Sequence, residues 1–174
     1  MDDRVVGPLR EARRPLHLGL RQLQLAAQAV SEAEPKVAQA AIDAAVAFLD
    51  EKLLPQCRAE EFTLFPAVDG VIGRKGATDV MFVQHEALNE MAADLHQVVE
   101  AARTDNDVAA YGRYLLPLLH GLYALTRAHL EAEDRAYIAL LDEHLSESQV
   151  GVIVDNIERI AANRPPDATV RAGE

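Results

Sequence analysis

Residues 129–140 read HLEAEDRAYIAL, and residues 56–67 read QCRAEEFTLFPA. The two segments align without gaps at an offset of 73 residues: a polar residue of metal-ligand type, three residues, Glu, an acidic residue, then an apolar run. Residues four apart stack on one face of an α-helix. His129 therefore stacks with Glu133, on a stripe continued by Leu125, Thr126 and Tyr137. Gln56 stacks with Glu60, flanked by Leu53 and Leu64. Charged groups among apolar neighbours need partners, since an unpaired buried carboxylate is costly. Two core-facing helices carrying matching polar segments are the framework for the rest of the chain.

Outward from these segments the sequence reads as helix throughout. Its 174 residues include 30 Ala and 22 Leu, both strong helix formers, and the β-branched and aromatic residues that favour strands are scattered. A first helix is expected from about Pro8 to Ser31, and a second from Pro35 to Phe65 with Pro55 as a kink. The apolar residues Ala38, Ile42, Ala45, Leu49 and Leu53 give the second its periodicity. VDGVIGRKGATD, residues 68–79, reads as a loop. Thr78 or Asp79 then caps a third helix with a stripe of Phe82, Leu88, Met91, Leu95 and Val99. A fourth runs from Val108 to Glu143 with Pro117 inside it, and SESQ at 146–149 has the form of a capping box opening a shorter fifth. Long amphipathic helices joined by short turns pack as neighbours. The expected architecture is an all-α, antiparallel up-down four-helix bundle with a short additional C-terminal helix, one domain over residues 1–163 and a disordered tail over 164–174.

Charge and composition exclude several functions. The net charge of −11 and the absence of a basic cluster argue against nucleic acid. No stretch approaches the roughly 18 consecutive apolar residues of a spanning helix. The charged N-terminus lacks the apolar core of a signal peptide, and one cysteine cannot support a disulfide framework. A soluble, cytoplasmic protein is expected. Among the six histidines, His17 lies in a Leu-rich stretch and His85 lies between Met81 and Leu88. Counting ~1.5 Å of rise per residue from the turns near 34, 73 and 105, one layer can collect Gln56, Glu60, His85, His129 and Glu133, with His17 agreeing more loosely. Imidazole suits iron, and carboxylates can bridge two ions. His96, His120 and His144 fall outside that layer and read as ordinary residues. Glu61 and Asp134 read as outer contacts, Glu61 as a hydrogen-bond partner for a ligand on a neighbouring helix.

This arrangement resembles the hemerythrin-like, HHE cation-binding family, whose pattern is His on helix 1, HxxxE on helix 2, His on helix 3 and HxxxE on helix 4. The resemblance covers about residues 9–143. It places His17, Glu60, His85, His129 and Glu133 at ligand positions, and implies an oxo- or hydroxo-bridged di-iron centre with both Glu bridging. It also implies a small diatomic or peroxide ligand: dioxygen, nitric oxide or peroxide bound, sensed or reduced. One departure stands out, because the helix 2 His is Gln56 here. By the resemblance, one iron takes His85 and His129, and the other takes His17 plus the missing His. Gln56 offers only a neutral amide oxygen, a weak or outer ligand, so one firm and one labile or open site are expected. Cys57, about 100° further round the helix, is expected to point off the ligand stripe and to be a buried small hydrophobe. The competing function is a structural or interaction module whose altered site holds zinc, one metal or none. A ferritin-like oxygenase is disfavoured because Glu-x-x-His does not occur in the chain. No separate acid, base or substrate pocket is legible, so catalysis is left open.

Overall fold

The computed structural model describes residues 5–162. The tail expected at 164–174 lies outside the described residues. All regular structure within them is helical: α1 (Gly7–Glu32), α2 (Pro35–Phe48), α3 (Leu54–Phe62), α4 (Leu64–Ile72), α5 (Asp79–Asp105), α6 (Gly112–Ala132), α7 (Ala139–His144) and α8 (Glu147–Ala161), with π-helical turns at Leu49–Leu53 and Glu133–Ile138. These form five rods, since α2 to α4 follow one another with no intervening loop and α6 to α7 likewise. The first rod packs on α2 and α6, α5 packs on α6, and α8 covers α3 and the start of α1. No described helix is long and apolar enough to cross a membrane.

The second rod departs from a simple kinked helix. Pro55 has no N–H for the carbonyl four residues back, and its ring crowds that carbonyl. The chain widens just before it, so that the Leu54 N–H reaches the Leu49 carbonyl, five residues away. The extra residue shifts the phase of everything downstream. A second irregularity at Thr63 (φ −131°, ψ −68°) separates α3 from α4. The helix then continues to Ile72, so the first part of the stretch expected as a loop is helical. Its end is set by Gly73, whose φ of +72° is a left-handed cap that glycine adopts without cost. The short loop beyond is pinned by Asp69, which accepts hydrogen bonds from the Gly76 and Thr78 backbones and from the Thr78 hydroxyl. Thr78 therefore stands at the N-cap of α5 without capping it. Residues 108–111 form a turn, so the fourth rod begins at Gly112, later than Val108. The box before α8 forms as its sequence indicates: Ser146 accepts from the Gln149 N–H, and Gln149 accepts from the Ser146 N–H.

Two apolar clusters fill the interior. One is built from residues such as Leu16, Leu23, Leu53, Leu88 and Leu130, the other from Leu9, Leu64, Phe65, Met81 and Ile138. Each of the four long rods passes from one cluster to the other, α8 joining only the second, and the residues between are polar: Arg13 on α1, Glu60 on α3, His85 on α5, His129 on α6 and Glu133 at its end. All five are at most 1% exposed.

Candidate metal centre

His85 and His129 face one another across this layer, their Nε2 atoms 3.1 Å apart. The opposite ring nitrogens decide what those atoms are. His85 Nδ1 lies 2.9 Å from the Glu61 carboxylate, which accepts only, so Nδ1 carries the proton. His129 Nδ1 lies 3.0 Å from the Gln84 side-chain oxygen, also an acceptor. Burial, then His85 and Arg13, lower the His129 pKa to about 3, so its ring is neutral and its Nε2 is a bare lone pair. Two such nitrogens cannot rest at this distance without a shared cation, a proton or a metal ion. Two nitrogens bound to one tetrahedral ion at ~2.0–2.1 Å are about 3.3 Å apart, close to the spacing here. A ligating histidine that gives its second N–H to a carboxylate or amide oxygen is the usual support of a metal site.

Cys57 and Glu60 complete the cluster. One ligand atom from each of Cys57, Glu60, His85 and His129 lies within 4.8 Å of all the others, and all four residues are buried. Cys57 is buried as expected, but its sulfur falls within the cluster and not off the ligand stripe. The reason is tertiary: α3 packs against both α8 and α5, and Gln56, Cys57, Ala59 and Glu60 are all buried. Burial first, then the nearby Glu60 and Glu133, hold the Cys57 thiol well above its usual range. Glu60 Oε2 lies 3.8 Å from His85 Nε2, and Glu133 Oε2 lies 3.3 Å from His129 Nε2. Glu133 Oε1 is buried without a hydrogen-bond partner, which is the polar vacancy a cation would satisfy. Burial and the charge of Glu133 push Glu60 up to about 7, against the pull of Arg13. Burial raises Glu133 as well.

The remaining expected residues divide. Gln56 is in the layer, but its amide N–H donates to Glu60 Oε1 at 3.0 Å. His17 lies outside it, 41% exposed, with Nε2 3.0 Å from Asp134 Oδ2. Its place in the layer belongs to Arg13, which the sequence reading missed. Arg13 Nη1 donates to Glu60 Oε1 and Nη2 to Glu133 Oε2, both at 2.5 Å, and Nε donates to Asp134 at 3.3 Å. Two signals pointed to it. Leu9, Arg13, Leu16 and Leu23 lie on one buried stripe, from which His17 is turned. Arg13 also lies about 21 residues before the turn near 34, matching Gln56 at about 22 beyond it, whereas His17 falls short by a helical turn.

A helical protein with a buried set of sulfur, carboxylate and two imidazoles, oriented from outside by hydrogen bonds, is a metal-binding protein in its design. The chain belongs to the hemerythrin family: the hemerythrin HHE cation binding domain matches residues 11–141, about three quarters of its length. No curated protein and no solved structure matches it.

Proposed function

We propose that the protein holds non-haem iron between His85 and His129, with Glu60, Glu133 and Cys57 as the further donors, and binds a small oxidant there in a cytoplasmic setting. The observation that carries the reading is the 3.1 Å approach of the two buried Nε2 atoms, each ring having an acceptor beside its Nδ1. Imidazole and carboxylate together suit iron, which would supply electrons to dioxygen, peroxide or nitric oxide. An antiparallel up-down course of the four long rods accounts for ligands arriving in one layer from separate helices. The residues around the centre keep water out. Phe65 stacks on the His85 ring at 5.1 Å between centroids and contacts Phe82 and Tyr137 edge-on. Phe65 also lines a recess of about 700 Å³ bounded by Asp69, Thr78 and Phe82.

The Cys57 sulfur favours a second reading. A thiolate, two imidazoles and a carboxylate are a set that zinc takes in tetrahedral sites, where the ion would serve the fold. Elemental analysis of protein purified from cells supplied with both metals, with an anaerobic and an aerobic optical spectrum, separates the two. Iron with a visible spectrum that responds to dioxygen or peroxide supports the proposal. Colourless protein with zinc, or with no metal, refutes it.

A further inference from the structure

We infer that the Arg13 guanidinium is a built-in cation standing where a second metal ion would lie, so that the centre takes one ion and not two. The inference rests on the metal-site reading above and concerns its nuclearity. Glu60 divides its two oxygens between two sides of the layer. Oε2 faces the imidazole of His85, while Oε1 accepts from both Arg13 and Gln56. Glu133 Oε2, which lies 3.3 Å from His129 Nε2, also accepts from Arg13 Nη2. A guanidinium is planar, permanently charged and offers several donors in a fixed fork, so it can neutralise two carboxylates at once. Here it does so with its side chain 1% exposed.

Most groups that could serve a second ion beside Arg13 are already engaged, Glu133 Oε1 being the exception. Glu60 Oε1 and Glu133 Oε2 are bonded to Arg13. Gln56 presents an N–H, not its oxygen, toward Glu60. His17 is drawn outward by Asp134, and Asp134 also accepts from Arg13 Nε. The charge balance agrees. Glu60 and Glu133 against Arg13 leave one negative charge; one divalent ion turns that into one positive charge, which a Cys57 thiolate or the Asp134 carboxylate beside Arg13 offsets. A second divalent ion would add two more positive charges directly beside a guanidinium that cannot lose its own, in a layer where buried charge is costly.

The test is a count of bound ions on the full chain by native mass spectrometry, titrated anaerobically with ferrous iron and separately with cobalt(II) and zinc(II). One ion per chain is expected, unchanged at large excess. Arg13→Gln removes the charge at similar length and is expected to raise the count to two. Arg13→Lys keeps a cation and is expected to stay at one. Two equally tight ions in the wild-type chain, or two in Arg13→Lys, would overturn the inference while leaving the metal site standing. So would a folded Arg13→Gln chain that still takes only one ion at the wild-type affinity. If Arg13→Gln does not fold, the wild-type and Arg13→Lys counts decide. No ion bound under any of these conditions would sink the metal-site reading and the inference with it.

Discussion

Glu61→Ala isolates the contribution of the outer hydrogen bond to the centre. Glu61 accepts from His85 Nδ1 at 2.9 Å, and its side chain is 27% exposed while His85 is 1% exposed. Water already screens the carboxylate, so the fold should lose only about 1 kcal/mol, the net value of one hydrogen bond. In a chain of this size that lowers Tm by roughly 2–4 °C. The effect on metal is expected to be larger. Without the acceptor, the His85 proton is as comfortable on Nε2 as on Nδ1, and a protonated Nε2 cannot bind an ion. Losing such a partner typically costs 10–100-fold in metal affinity, about 1.4–2.7 kcal/mol. Competition with a chromogenic chelator for cobalt(II) or zinc(II) reads the affinity, and thermal melts of the metal-free chain read the fold. Glu61→Gln retains an acceptor oxygen and should recover most of the loss. Affinity within twofold of wild type in Glu61→Ala, alongside the expected small change in Tm, would refute the tautomer argument on which the site rests.

Three further outcomes follow from the same geometry. His17→Ala should leave metal content unchanged and cost less than about 1 kcal/mol, because a half-exposed pair with Asp134 is all it loses; elemental analysis showing a lost ion would return His17 to the ligand set. Cys57→Ser should abolish the sulfur-to-metal charge-transfer absorption expected of the cobalt(II)-loaded chain, and an unaltered near-ultraviolet spectrum would exclude sulfur ligation. Gly19→Ala should lower Tm despite a helix-propensity gain of about 1 kcal/mol, since its Cβ would lie 2.1 Å from two atoms of the Phe48 ring and overpacking costs about 1–3 kcal/mol; a raised Tm would show that the ring swings aside freely.

Much of this protein is written in one dimension. Ala and Leu content and 3.6-residue spacing are local properties, so the helices, the capping box at Ser146 and the stripes through Ile42, Leu53, Leu88 and Leu95 follow from sequence. The spacing of His129 and Glu133, and its echo at Gln56 and Glu60, likewise required two polar pairs on core-facing helices. Counting heights from the turns placed His85 with them. Tertiary structure decided the facts that depend on phase and competition between neighbours. The widened turn before Pro55 changes the phase of α3, and the Cys57 sulfur joins Glu60, His85 and His129 where a regular helix would place it off their stripe. Between Arg13 and His17, a helical turn apart, burial went to the residue able to neutralise both Glu60 and Glu133, while Asp134 held the histidine at the surface. A helix-by-helix reading could state that the buried carboxylates need a cation. Which cation answers was settled by three rods meeting in one layer, because only there do one guanidinium and two carboxylates come within hydrogen-bond reach.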